Sequence, residues 1–211
     1  MFIERPPIWF RKFFPGALFR IKNTPENPPA IYLTFDDGPI PEATPLVLDI
    51  LDEFDVKATF FMVGQNVERN VHLFDEILKR GHKAGNHTLH HIRGFGISPE
   101  DYIKDVNECH SLTKSSLFRP PHGWLTPSQL REVKKNYTVV MYDLITRDYS
   151  RKVSAKEIVS NVKKYTRDGS IIVFHDSLKS IEKLKTALPE SLKWLKEQGY
   201  QFKLLDEKIN S

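Results

Sequence analysis

Ile31-Tyr32-Leu33-Thr34-Phe35-Asp36-Asp37-Gly38-Pro39 is an apolar run that ends in two adjacent carboxylates and a turn. The run reads as a buried strand, and Gly38-Pro39 suits a sharp turn holding both acids at the strand's C-terminal end. Neighbouring carboxylates repel each other and cost desolvation free energy, so a strand end with a structural job alone does not favour the pair. A cation beside them removes that penalty. It also divides the labour: one carboxylate ligates, and the other is free to take a proton from water at the metal. Taken alone, the segment Thr34-Phe35-Asp36-Asp37-Gly38-Pro39 also fits an ordinary Asp-Gly turn with an acidic neighbour.

His87-Thr88-Leu89-His90-His91 weighs against the ordinary turn. If the segment is helical, the imidazoles of His87 and His91 project from one face a turn apart, within reach of a single ion. Two neutral imidazoles and one carboxylate form the donor set of a catalytic zinc, with an open position for water. His90 falls on another face and reads as a bystander. Apolar runs at 31–35, 58–63, 117–119, 139–142, 171–174 and 202–205 alternate with amphipathic stretches at 44–54, 71–80, 127–136, 155–167 and 178–198. A further helix is expected over 99–115, and Thr126 and Ser154 sit where N-caps belong. The alternation predicts an α/β fold with a parallel sheet, and its length and repetition suit a barrel with helices outside. His175 closes one apolar run, at a strand end where barrel catalytic groups collect. His175-Asp176 also fits a strand-to-helix turn with Asp176 or Ser177 as the N-cap. No internal linker divides the chain, which reads as one domain over 31–211 behind a lead-in segment at 1–30.

With these residues in view, the chain resembles the polysaccharide deacetylases of the NodB-homology type, a carbohydrate esterase family (family 4-like). Five motifs occur in the family's order: Thr34–Pro39; His87-Thr88 with His91; Arg119-Pro120-Pro121-His122-Gly123; Asp148-Tyr149; and Val173-Phe174-His175. Two positions depart from the family pattern, His122 where tyrosine is usual and Tyr149 where tryptophan is usual, and both bear on pocket shape more than on chemistry. The resemblance implies an irregular (β/α)7-type barrel and a metal-dependent hydrolase that removes N-acetyl groups from the sugars of a polysaccharide or oligosaccharide. It implies that Asp37, His87 and His91 hold a divalent cation, zinc first, with cobalt, nickel or manganese as alternatives. Asp36 becomes the general base, with Arg119 as its orienting partner. His175 becomes the general acid beside Asp148, for which Asp143 is a nearby competitor. The backbone N–H near His122 supplies part of an oxyanion hole, while Trp124, Tyr149 and Val173 face the substrate. Trp124 also fits a partly buried loop aromatic. An O-acetyl esterase uses the same site chemistry, and a catalytically silent carbohydrate-binding protein on the same fold is the reading from another class.

Composition bounds the partners. The 211 residues carry 31 Lys and Arg against 27 Asp and Glu, a formal excess of +4, with lysines at helical spacing over 179–196 that read as a solvated face. No basic-aromatic motif of a nucleic-acid module appears, so nucleic acid is not expected as a partner. The lone Cys109 excludes an internal disulfide and is expected to be buried in the 99–115 helix. Ile8-Trp9-Phe10-Arg11-Lys12-Phe13-Phe14 has the aromatic and basic character of an interfacial membrane segment, but the expectation is that it packs on the domain. Glu4, Pro6-Pro7 and Arg11-Lys12 interrupt any signal-peptide core, from which a cytoplasmic location is expected.

Overall fold

Eight strands, all parallel to their neighbours, form the framework of the computed structural model, which describes residues 4–21, 23 and 27–206. They are β1 (Ala30–Asp36), β2 (Thr59–Met62), β3 (Lys83–Asn86), β4 (Leu117–Phe118), β5 (Thr138–Val139), β6 (Leu144–Ile145), β7 (Ile171–His175) and β8 (Gln201–Phe202). The sheet runs β5-β4-β3-β2-β1-β7-β6, and β8 adds to the start of β1. The connecting helices are α1 (Ile8–Arg11), α2 (Thr44–Glu53), α3 (Gly64–Arg69), α4 (Val71–Lys79), α5 (Pro99–Thr113), α6 (Pro127–Val133), α7 (Ala155–Tyr165) and α8 (Ile181–Glu197). This is the irregular (β/α)7-type barrel that the motif resemblance implies, a curled sheet left open between β5 and β6.

The pleat explains where the chemistry falls. Residues 31, 33 and 35 of β1 point outward into a core shared with α2, α7 and α8, where Phe35 stacks between Phe60 and Phe174 at centroid distances of 5.1 and 5.9 Å. The alternate residues Thr34 and Asp36 therefore face the barrel axis, as do Val173 and His175 on β7. Register places Asp36 directly beside His175. Thr126 and Ser154 each close a capping box, with Gln129 and Glu157 respectively, which starts α6 and α7 where expected. Cys109 is buried in α5.

The described part of the N-terminal segment fills the open seam. Leu18 pairs with Val140 beyond β5, accepting from Met141 N at 2.7 Å, and Glu4 O accepts from Ile145 N of β6 at 2.9 Å. Phe14 and Phe19 are buried against Phe118, Leu125 and Val139. Asp143, fully buried, fastens the arrangement: it accepts from Arg11 Nη2 at 2.7 Å, Arg167 Nη2 at 2.7 Å and Ser170 Oγ at 2.8 Å. These partners lower its pKa to about 2 against the opposing effect of burial. A depressed carboxylate pKa contributes stability that is present above the unfolded value, near 4, and is lost as pH falls towards 2. We expect Asp143→Asn to cost about 2 kcal/mol at pH 7, less than a fully buried pair because its arginines are partly solvated. Urea unfolding should show the difference from wild type shrinking steadily below pH 4.

Candidate active site

The residues singled out by the sequence converge at the C-terminal ends of the strands, around a pocket of about 520 Å³. Asp36, Asp37, His87, His91, Arg119 and His175 line its floor, while His122, Trp124, Tyr149 and Val173 line its walls. Asp148 lies behind His175, fully buried.

Asp36 and Asp37 end β1 on opposite courses. Asp36 stays in the pleat and its Oδ1 accepts from Arg119 Nη1 at 2.6 Å. Arg119 is itself buried, spread over the Phe61 ring at 4.0 Å and donating to Thr34 Oγ1 at 2.8 Å, so it holds Asp36 in one orientation. Asp37 turns away with φ 86°, a left-handed conformation that costs a non-glycine residue roughly 1 kcal/mol or more. The turn is secured from outside: Asn66 donates to Asp37 O at 2.7 Å, and Asp176 accepts from Gly38 N at 3.1 Å and from Thr44 Oγ1 at 2.6 Å. A Cβ on Gly38 would lie 1.9 Å from Asp176 Oδ2, so glycine is required here by the close approach of that carboxyl group. Burial, reinforced by nearby Asp37, lifts the Asp176 pKa to about 8 despite the Thr44 hydrogen bond. Asp176 is thus a brace for the Asp36-Asp37 turn and not a helix cap; Ser180 occupies the N-cap position of α8.

The His87–His91 segment is not helical, contrary to the condition placed on it above. It is an irregular loop leaving β3, with Thr88 at φ 64° and His91 at φ 53°. Polar side chains outside the histidine pair dictate its path. Asn86 Oδ1 accepts from Thr88 N at 2.9 Å, while Asp105 of α5 accepts from Leu89 N at 2.7 Å and His90 N at 3.1 Å. His90 turns away from the pocket onto Asp105, Nδ1 to Oδ2 2.5 Å. The two imidazoles converge all the same. His91 Nε2 is 3.3 Å and His87 Nε2 3.9 Å from Asp37 Oδ1, and one ligand atom from each of the three residues lies within 4.8 Å of the others.

This donor set fits a divalent cation. Bonds of about 2.0–2.1 Å to a tetrahedral zinc place neighbouring donors about 3.3 Å apart, close to the spacing here. His87 Nδ1 donates to Arg119 O at 2.8 Å, which leaves Nε2 with its lone pair towards Asp37. Burial lowers the His87 pKa to about 4, keeping the imidazole neutral as a metal requires. Burial opposes the Asp37 carboxylate, but the His91 hydrogen bond and the surrounding imidazoles of His175 and His87 hold its pKa well below the usual range.

Across the pocket, His175 Nδ1 donates to Asp148 Oδ1 at 2.7 Å, and Asp148 Oδ2 accepts from His175 N at 2.8 Å. Burial disfavours the imidazolium, yet Asp148 outweighs it and raises the His175 pKa to about 9. Asp143, the competitor for this role, is committed to its arginines at the seam. Tyr149 sets its ring edge-on to His175 at 4.8 Å, and His122, at φ 60°, sets its ring against His91 at 4.8 Å. Trp124 is 41% exposed at the mouth and meets Phe14 edge-on at 5.8 Å, so it is anchored on one side and open on the other. Sequence reading missed Asp105 and Asp176, whose only signals are their positions opposite the two motif loops in the folded chain.

Comparison with known proteins identifies the family. The sequence model of the family described as polysaccharide deacetylase matches residues 23–141. A peptidoglycan-N-acetylglucosamine deacetylase of Bacillus cereus is 35% identical over 191 residues, covering 87% of this chain and 89% of its own. A chitooligosaccharide deacetylase of Sinorhizobium fredii is 33% identical over 156 residues, covering 70% of this chain and 72% of its own. Among solved structures, a peptidoglycan N-acetylglucosamine deacetylase in complex with a naphthalenyl-N-oxidanyl-benzamide superposes with a TM-score of 0.84 at 30% identity, covering 95% of each chain. The chain belongs to the polysaccharide deacetylase family, a metal-dependent family to which these named deacetylases belong.

Proposed function

We propose that this protein removes acetyl groups from N-acetylglucosamine residues of a glycan chain, using a zinc ion held by Asp37, His87 and His91. The observation that carries the reading is the meeting, at one pocket floor, of a carboxylate held by a guanidinium, a three-donor cluster and an imidazole backed by a carboxylate. A bound divalent cation supplies Lewis acidity to the acyl carbonyl and makes a nearby water far more acidic, its pKa falling from about 15.7 towards 7. Asp36, fixed by Arg119, takes the proton of the attacking water. The backbone N–H near His122 donates to the oxygen that gains charge. His175, kept protonated by Asp148, gives its proton to the departing amine, which cannot leave as an anion. Val173 and Tyr149 bound the space for the acetyl group, and Trp124 offers a face on which a sugar ring can stack.

The names of the relatives, which act on peptidoglycan or chitooligosaccharide, support an amide substrate over an O-acetyl ester. Acetate release from N-acetylglucosamine oligomers by zinc-loaded protein tests the proposal. Release from acetylated xylan with none from the oligomers would replace it with the esterase reading.

A further inference from the structure

The mouth of the pocket carries two cations for which deacetylation has no use. Arg93 lies two residues beyond His91 on the loop after β3, and Lys179 lies four residues beyond His175 on the loop after β7. Both are exposed and both line the mouth. The pocket's other charged groups are matched within the protein: Asp36 by Arg119, Asp37 by the imidazoles of its cluster, Arg147 by Glu4 at 2.7 Å, and His175 by Asp148. Among the described residues, neither Arg93 nor Lys179 has a carboxylate within ion-pair distance, and no acidic side chain lines the pocket apart from Asp36 and Asp37 on the floor. In sheet order β3 and β7 stand on either side of β2 and β1, so the two cations flank the turn that bears Asp36 and Asp37.

A neutral N-acetylated sugar offers such cations hydroxyl and carbonyl acceptors but no counter-charge. A glycan that carries a carboxylate on the residue next to the one being deacetylated offers a partner to a guanidinium's planar fork and to an ammonium's point charge. We propose that Arg93 and Lys179 form an anion subsite that selects a carboxylate-bearing glycan chain. The proposal rests on the deacetylase reading above and adds the chemistry of the neighbouring sugar. Such a carboxylate comes either from an acid ether-linked to a neighbouring amino sugar or from a uronic acid in the chain, and the recognition chemistry is the same. Because the two cations are solvated, each contributes modestly, and the subsite acts on selectivity and encounter more than on chemistry.

The test compares three soluble oligosaccharides of equal length: a neutral N-acetylglucosamine oligomer, one bearing lactyl ethers on alternate sugars, and one alternating with glucuronic acid. Acetate release by zinc-loaded wild type should favour at least one acidic oligomer, and that choice identifies the source of the carboxylate. In Arg93→Ala/Lys179→Ala the acidic-to-neutral ratio of kcat/KM should fall about tenfold, through KM, with Arg93→Lys keeping most of it. The wild-type preference should also weaken between low and physiological salt. Calorimetric binding of the same oligomers should give the same ratio in Kd, so the subsite is read even if hydrolysis is absent. An unchanged ratio in the double variant, or a wild type indifferent to charge, overturns the subsite. Acetate from none of the three oligomers, with binding selectivity intact, overturns the deacetylase reading instead.

Discussion

Asp36→Asn is expected to lower kcat by roughly 10²–10⁴ while the protein keeps its full complement of metal. The amide is nearly the shape of the carboxylate but cannot accept the proton of the attacking water, and the three-donor cluster of Asp37, His87 and His91 is untouched. The substitution also withdraws a charge from Arg119, whose guanidinium is 3% exposed and donates to Asp36 at 2.6 Å. A buried cation left without its anion costs about 3–5 kcal/mol, offset here in part by its bonds to Thr34 Oγ1 and Met141 O and by the Phe61 ring. The variant should therefore unfold at a lower temperature as well as turn over slowly. Metal analysis, kcat and thermal unfolding on one preparation separate these effects. Wild-type turnover in a metal-loaded Asp36→Asn protein would remove Asp36 from the role of base.

His175→Ala should lower kcat by a similar roughly 10²–10⁴, and Asp148→Asn should show why. Asp148 raises the His175 pKa to about 9 against the effect of burial, so the acid form persists through neutral pH and is lost above it. The alkaline limb of kcat/KM in wild type should lie near that value. With the Asp148 carboxylate gone, burial is opposed only by the charges of Asp37 and Asp36, and the limb should move to lower pH, leaving activity on the acid side less affected. The same linkage acts on stability. A histidine pKa above its unfolded value of about 6.5 contributes stability that is complete below that pH and disappears as pH rises through 9. Unfolding of wild type and Asp148→Asn should converge at high pH. A limb that stays in place in Asp148→Asn would show that the pair does not set the protonation of the acid.

Much of this site was legible because Asp36, Arg119 and His175 each sit at the end of an apolar run, although the strand before His87, Lys83–Asn86, carries none. In a parallel barrel the C-terminal ends of strands face one mouth, so Asp36 ending β1, His87 after β3, Arg119 after β4 and His175 ending β7 are brought together by topology alone. Helical spacing was the wrong reason for pairing His87 with His91. Asn86 and Asp105 capture the backbone of that loop through side-chain hydrogen bonds, and a carboxylate sixteen residues beyond Leu89 in α5 leaves no periodic trace in the segment it shapes. Choosing between Asp143 and Asp148 likewise depended on folding: both are fully buried, but Arg11 arrives from the N-terminal segment to claim the first. The seam-filling role of Leu18 and Phe14 was expected only as packing, since two-residue strands such as β5 and β6 are too short to announce an open edge between them. The bracing role of Asp176, which with Ser177 fitted only an alternative helix cap, had no sequence signal because its partners, Gly38 and Thr44, lie more than a hundred residues earlier.

The central claim is that one metal ion, bound by Asp37, His87 and His91, makes this pocket a deacetylase. Protein stripped of metal should be titrated with zinc while acetate release from N-acetylglucosamine oligomers is followed. The rate should rise linearly from near zero and break at about one zinc per chain, and His87→Ala should show neither the rise nor the break. Full activity in the stripped protein, or an unchanged titration in His87→Ala, would contradict the account.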